Sequence, residues 1–393
     1  MNARRILLEL FDAALRAVDG RACTARFLRD AKLPAPVAVF AVGKAASAMA
    51  MGARDALGDS IRSMLVITKH GHSDPELLRA GVLQLETAHP VPDNSSLAAG
   101  AELESRLAAL PPDVLPVFLV SGGSSSLVEV LAEGVSLGDL QALNERGLAA
   151  GWDIAALNSQ RAKLSRLKGG GVARIMGSRR ALALFISDVP ADDPDLIGSG
   201  LLGRSGGGAD LIERHIVANV DAAMRAAVDA AQARGLEFQA RATRFDGDAV
   251  RVAEDFLAAL RATSADGLVW GGESTVMVPE IHGAGGRNTH LALTIARALR
   301  PGERLLILAA GTDGTDGPTS DAGAIVDADS IDRAMLAGLD VERAWREFDS
   351  GTALEASEDL VHTGPTGTNV GDILIAIKQS ATSLRGQPLP RML

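Results

Sequence analysis

Residues 115–130 read LPVFLVSGGSSSLVEV, an apolar run opening into Ser121-Gly122-Gly123-Ser124-Ser125-Ser126 and then a second apolar pattern. Three kinds of chemistry use such a turn. A nucleophile elbow reads G-x-S-x-G, but the closing glycine is missing here and no histidine is obviously placed as its base. A phosphate cradle needs glycines that let backbone N–H groups approach an anion, together with hydroxyls and a helix N-terminus. The third option is an ordinary strand-to-helix turn with serine caps.

Other candidates recur along the chain, each beside a plainer reading. Lys44 in AVGKAAS follows an apolar run, but the first glycine of a Walker A loop would fall at Ala38, and Ala45 replaces its Ser/Thr. It is a point charge for a carboxylate or phosphate, or a solvated lysine. In LNSQRAKLSRLKGGG (157–171), Asn158, Arg161, Ser165 and Lys168 recur at helical spacing before a triple glycine. That polar stripe is a wet face or one wall of an anion cleft. Asp188 in ISDVPADDPDLIGSG leaves an apolar run directly, where a carboxylate binds Mg²⁺ or accepts a proton. Its neighbours Asp192, Asp193 and Asp195 surround a proline and read as turn formers.

Farther on, Glu273 sits in a Gly-rich turn, and Arg287 follows Gly285-Gly286 as a guanidinium suited to bidentate anion binding or to a surface ion pair. Asp313, Asp316 and Asp321 share a loop that lacks the spacing and the glutamate of an EF-hand. HTGPTGTN (362–369) adds Thr366-Gly367-Thr368, three residues of a hydroxyl-bearing loop or an ordinary turn. Loops rich in glycine and hydroxyls, a few cations and isolated carboxylates are the parts of phosphoryl transfer, whose catalysis is mostly positioning and charge neutralisation.

These residues need elements to hold them. Short apolar runs at 37–42, 64–68, 115–120, 182–187, 267–272, 305–311 and 373–378 read as strands, separated by helical patterns such as 210–235. Alternating strands and helices predict α/β layers and a mainly parallel sheet covered on both faces. The candidate residues fall just after the strands, at carboxyl ends where open α/β sheets bind ligands. A length of 393 residues suggests two domains. The Gly-rich stretch 199–210 marks the boundary, giving domains 1–208 and 209–393.

Composition excludes several classes. A formal charge of −10 and the lack of a Lys/Arg block argue against nucleic-acid or anionic-membrane partners. Cys23 is the only cysteine, so no intramolecular disulfide forms and no His/Cys zinc cluster is visible. No G-x-G-x-x-G follows the first strand, against a dinucleotide site. The first 20 residues read as an amphipathic helix rather than a signal peptide, and no apolar stretch is long enough to span a membrane. The expected location is cytoplasmic.

AVGKAASAMA, HGHSDP, TAHPVPDNSSLAAG, VSGGSSSLVEV, LNSQRAKLSRLKGGGVA, ISDVPADD, GGESTVMV, GGRNTHLAL, AAGTDGTDGPTSDAGA and TGPTGTNVGD occur in this order over residues 36–378. Together they resemble the D-glycerate 2-kinase family (glycerate kinase type II, with its C-terminal MOFRL domain). The resemblance implies ATP- and Mg²⁺-dependent phosphorylation of the 2-hydroxyl of D-glycerate to 2-phosphoglycerate. It implies an N-terminal Rossmann-like domain, a C-terminal α/β domain with a mixed sheet, and an active site in the interdomain cleft. A homodimer is a possible assembly.

By carry-over, Lys44, Asp188, Arg287 and Asp313 are functional. Arg287 and Lys44 are expected to hold anionic groups. Asp188 or Asp313 takes the hydroxyl proton while the other, with Glu273, holds Mg²⁺. Ser121, Gly122, Gly123, Ser124, Ser125, Ser126, Lys168, Thr366, Gly367 and Thr368 are expected to bind nucleotide phosphates. The chain departs from the family pattern at Ser124 and Ser126, which replace a glycine and an alanine, at Thr289-His290, which replace Gln-Glu, and at Leu201, where a proline is usual. These changes fall near the expected ligand cleft and leave a related 2-hydroxy acid as an alternative acceptor to D-glycerate. A reductase acting on hydroxypyruvate is the alternative activity.

Overall fold

A computed structural model of the chain describes residues 2–149, 154–204 and 209–379. These form two compact units, each built by more than one stretch of chain. One comprises Ala17–Val220 and Pro365–Gly371; the other comprises the residues up to Arg16, Asp221–Gly364 and the chain from Asp372 onward. The boundary expected at 208/209 abuts residues 205–208, which lie outside the described residues. The strand that follows it still belongs to the first unit's sheet.

The first unit holds β1 (Val37–Val42), β2 (Ile61–Lys69), β3 (Leu83–Thr87), β4 (Leu115–Val120), β5 (Ala181–Ile186) and β6 (Ile212–Ala218). They form one sheet in the order β3-β2-β1-β4-β5-β6, and every pairing is parallel. β1 and β5 are buried at every position, as strands covered on both faces must be. One face packs Phe40, Phe118, Val120 and Phe185 against Leu103, Leu107, Leu167 and Val172.

The second unit holds β7 (Phe238–Ala240), β8 (Phe245–Asp248), β9 (Gly267–Thr275), β10 (Leu305–Gly311), β11 (Gly323–Val326), β12 (Leu360–Val361) and β13 (Asp372–Lys378). Its sheet is mixed: β10 pairs antiparallel with β11 and β13, and β9 pairs antiparallel with β13 but parallel with β7 and β8. The buried helix Arg287–Ala298 and the helix Ala249–Ala262 supply much of this unit's core. The N-terminal helix Ala3–Ala17 joins the same unit through Arg4, which donates to the carbonyls of Ile325 and Glu358, and Glu9, which pairs with Arg234.

Two expectations change. The helical pattern over 210–235 is a strand, β6, followed by the helix Val220–Gln232. Ile212 and Ile216 fit a helical period and an edge strand equally well, and pairing with β5 decides for the strand. In 157–171 the helix stops at Leu164 rather than at the triple glycine, and Ser165 forms an isolated bridge with Leu131. Among the described residues, no helix is long and apolar enough to cross a membrane.

Candidate active site

Strand order in the first unit reverses between β1 and β4. Loops leaving neighbouring strands diverge there, which opens a crevice at the carboxyl ends. Gly43-Lys44 leaves β1 at that point and Ser121-Gly122-Gly123 leaves β4. The two loops are braced together: Lys44 N donates to Gly122 O at 2.9 Å and Ala45 N to Ser121 Oγ at 3.0 Å. Gly43 makes this possible. Its φ is +132°, and a Cβ there would lie 2.2 Å from Ser121 Oγ. Ser121 is therefore fully buried as a brace, a different task from the phosphate contact expected of it.

The glycine pair is closely surrounded. A Cβ on Gly122 would fall 1.8 Å from Asp188 Oδ2 and 2.0 Å from Asn369 Nδ2; one on Gly123 would fall 3.1 Å from His89 Cδ2 and from Lys44 Cγ. Asn369 Nδ2 donates to Asp188 Oδ2 at 2.9 Å, holding the carboxylate beside the glycine turn. Lys44, Asp188, Gly122 and Gly123 thus share one end of the sheet, as expected. His89 and Asn369 join them unannounced. Both lie in stretches quoted above, but proline and glycine neighbours remove any period that would single them out.

A cavity of about 200 Å³ opens beside Gly123, lined by Ser125, Ser126, His89, Arg161 and Lys168 with an apolar rim from Pro90, Pro92 and Leu140. Its serines are differently held. Ser125 Oγ lies 2.6 Å from Ser199 Oγ, which donates to Asn158 Oδ1 at 2.8 Å, and Arg161 also reaches Asn158 Oδ1. Ser126 Oγ donates back to Gly123 O. Ser124 is fully buried with no hydrogen-bond partner for its hydroxyl, so it faces the interior rather than a phosphate. Lys168 forms a buried ion pair with Glu129, a residue the sequence reading passed over. A lone carboxylate inside the apolar run LVEVL was the signal.

The segment from Pro365 packs back onto this unit. Gly20 N donates to Gly367 O at 3.2 Å, and Thr368 Oγ1 donates to Val18 O at 2.6 Å. Thr368 is buried and its hydroxyl is committed to main chain, so the phosphate contact expected of it is replaced by an anchoring role. Gly367 serves the same anchor, and Thr366 stays half-buried beside it.

In the second unit Arg287 opens its helix and lies between two carboxylates. It pairs with Glu273, and with Asp372 through Nε at 2.7 Å and Nη2 at 3.0 Å. The two carboxylates raise its pKa against the opposing effect of burial. The expected anion clamp therefore already holds protein anions, and Glu273, expected on a metal, is its partner. Asp372 was missed. Burial raises its pKa to about 6, which Arg287 opposes and Glu273 reinforces.

Asp316 accepts from Asn288 N at 2.9 Å and Thr289 N at 2.7 Å, capping the same helix. Asp313 is buried and accepts from Thr315 N. Thr289 and His290 face inward: Thr289 accepts from Gly286 N and Ser350 Oγ, and His290 stacks on Trp345 and Phe348. Leu201 is likewise in the core. Thr289, His290 and Leu201 thus repack the interior and carry no argument for a different acceptor, whereas Ser126 lines the cavity beside Gly123.

No three His, Cys, Asp or Glu side chains converge as a metal cage among the described residues. Asp188 fits a different mode, since Mg²⁺ commonly binds one or two carboxylates plus substrate phosphates and keeps its waters.

Residues 6–233 match the domain of unknown function DUF4147, and residues 267–372 match the MOFRL family. The chain is 33% identical to a D-glycerate 2-kinase of Thermotoga maritima over 96% of this chain and 98% of that one. It is 35% identical to an Agrobacterium vitis protein that carries a hydroxypyruvate reductase name, over 95% and 94% of the two chains. The crystal structure of a Thermotoga maritima glycerate kinase superposes with a TM-score of 0.81 at 33% identity, covering 95% of this chain and 99% of that one. With two family matches, and with sequence likeness and a superposition that extend over almost its whole length, the chain belongs to the DUF4147–MOFRL family of glycerate 2-kinases.

Proposed function

We propose that this protein is a glycerate 2-kinase that transfers the γ-phosphoryl group of ATP to the 2-hydroxyl of D-glycerate. The observation that carries the reading is the strand-end site of the first unit. A lysine, a carboxylate held by an asparagine, and a glycine pair with backbone N–H groups meet at the reversal of a parallel sheet. Phosphoryl transfer asks for little more than positioning and charge neutralisation. A hydride carrier would need a dinucleotide fingerprint after β1, and Gly43-Lys44-Ala45-Ala46 is not one.

In the proposed reaction the 2-hydroxyl oxygen bonds to the γ-phosphorus while the bond from phosphorus to the β,γ-bridging oxygen breaks, releasing ADP. Asp188 accepts the hydroxyl proton or holds the nucleotide's Mg²⁺; Asn369 keeps its carboxylate in place for either task. Mg²⁺, when bound, neutralises charge on the phosphates. Lys44 supplies a fixed positive charge at the end of β1, and the Gly122–Gly123 turn offers N–H donors without a side chain in the way.

The test is a paired assay: ATP consumption with D-glycerate and Mg²⁺, and NADH oxidation with hydroxypyruvate. Turnover in the first and none in the second is expected. NADH oxidation without ATP consumption would reverse the reading.

A further inference from the structure

The two carboxylates that hold Arg287 differ in burial and in grip. Asp372 opens β13 with its side chain 1% exposed, and its cross-strand neighbours are Gly272 of β9 and Gly311 of β10. Asp372 takes the side edge of the guanidinium with both oxygens: Nε lies 2.7 Å from Oδ2, and Nη2 donates to Oδ1 at 3.0 Å. Asn288 Nδ2 donates to the same Oδ1 at 3.0 Å, so two successive residues of the helix tie the carboxylate down. Glu273 is 45% exposed and reaches Arg287 through one oxygen, on Nη1 alone. The guanidinium itself is 31% exposed. It carries five N–H groups, and among the described residues one on each terminal nitrogen has no partner.

We propose that Glu273 is an exchangeable partner of Arg287, displaced by an oxyanion of a substrate, and that Asp372 is the positioning residue that holds the guanidinium through the exchange. The proposal rests on the kinase reading for the source of the anion, which is the carboxylate of the hydroxy acid or a phosphate of the nucleotide. Either presents two oxygens to the end edge formed by Nη1 and Nη2, as bidentate recognition requires. Burial decides which protein carboxylate yields. An ion pair that stands half in water is worth a factor of about five or less, and Glu273 regains its hydration when it swings away. Asp372 has no water to return to, and breaking a buried pair is far more costly. An oxyanion that brings two oxygens in place of the single one from Glu273 therefore gains a contact at little cost. Glu273, expected on Mg²⁺, is assigned here to Arg287 as the internal competitor of the ligand.

The test is calorimetric binding to the full-length protein of D-glycerate and, separately, of a non-hydrolysable ATP analogue with Mg²⁺, beside steady-state kinetics. Glu273→Gln keeps the size of the side chain and removes the competing charge. Affinity for one of the two ligands should rise about twofold to fivefold, the worth of the half-exposed pair. A rise for D-glycerate assigns the carboxylate, and a rise for the analogue assigns a phosphate. The gain should vanish in an Arg287→Gln background, because it is a gain in access to the guanidinium. An equal rise for both ligands, or the same gain in that background, would reduce Glu273 to a general field on anions and overturn the exchange. So would unchanged or weakened binding of both; weakened binding of the analogue is the mark of a metal ligand. Asp372→Asn should raise the KM of the ligand so identified about tenfold and leave the KM of the other substrate within about twofold. Both KM values rising alike would remove the positioning role, since a general loosening of the unit does not discriminate. Glu273 is half-exposed, so its variant decides the exchange whether or not Asp372→Asn folds. A gain through Arg287 without ATP consumption by the unaltered protein would overturn the kinase reading alone. Turnover without that gain would overturn the exchange alone.

Discussion

Asp188 and Gly122 constrain one another. The carboxylate occupies the space that a side chain at 122 would fill, and Asn369 closes the same space from the other side. This pairing separates catalysis from folding in a measurable way. Asp188→Asn keeps shape and hydrogen-bonding capacity but loses the negative charge. It is expected to lower kcat by about a hundredfold or more, typical of removing a general base, with little change in Tm. Gly122→Ala places a methyl against Asp188 and Asn369 and should lower kcat similarly while also reducing stability. Steady-state kinetics with thermal unfolding on both variants checks this. Near-normal turnover in both would remove Asp188 from the mechanism.

At the scale of the element, the helix Arg287–Ala298 shows how one segment serves both surface and core. Its first residue pairs with Glu273 and Asp372, and its cap is the buried Asp316. One turn on, His290 stacks at 4.5 Å from Phe348 and 5.6 Å from Trp345. Burial lowers its pKa from 6.5 to about 4, with Arg297 adding to the effect and Asp248 opposing it. The folded protein therefore binds fewer protons at this histidine than the unfolded chain between those two values. Its contribution is fully present above pH 6.5 and is lost as pH falls toward 4, by about 2–3 kcal/mol at pH 4.5. His290→Phe keeps the stack and removes the titration. Urea unfolding at pH 7 and 4.5 should show the variant losing less stability on acidification by about that margin, and equal losses would refute the assignment.

Across the whole molecule, the chain passes between its units after Arg16, Val220, Gly364 and Gly371. The seven residues Pro365–Gly371 carry Asn369 to Asp188, and Thr368 and Gly367 anchor them on the segment around Val18–Gly20. A residue more than 180 positions away in sequence thus orients the candidate base. Thr368→Val removes the hydroxyl that bonds to Val18 O and should cost about 1–2 kcal/mol. Amide exchange should quicken at Gly20 and over 366–369 but not within 291–298, and kcat should fall because Asn369 is loosened. Uniform protection in the variant would show that the anchor does not hold the segment.

Much of this was written locally. The seven apolar runs are seven of the thirteen strands among the described residues, because near-continuous burial on both faces demands an unbroken apolar stretch. Lys44, the glycine pair and Asp188 could be placed at strand ends for the same reason. The short strands β7, β8, β11 and β12, of two to four residues, and the half-exposed β3 and β6 escaped, since pairing with a neighbour makes strands of segments too short or too mixed to read as apolar runs. What each polar side chain does was decided only in three dimensions. Ser121 braces, Thr368 anchors and Arg287 is held by carboxylates because their partners are 76, 350 and 85 residues away. Glu129 became legible only when the fold buried it against Lys168. Residue type and local pattern determine which groups are available at a strand end; the long-range contacts that satisfy or leave open their hydrogen bonds and charges determine which of them face a ligand.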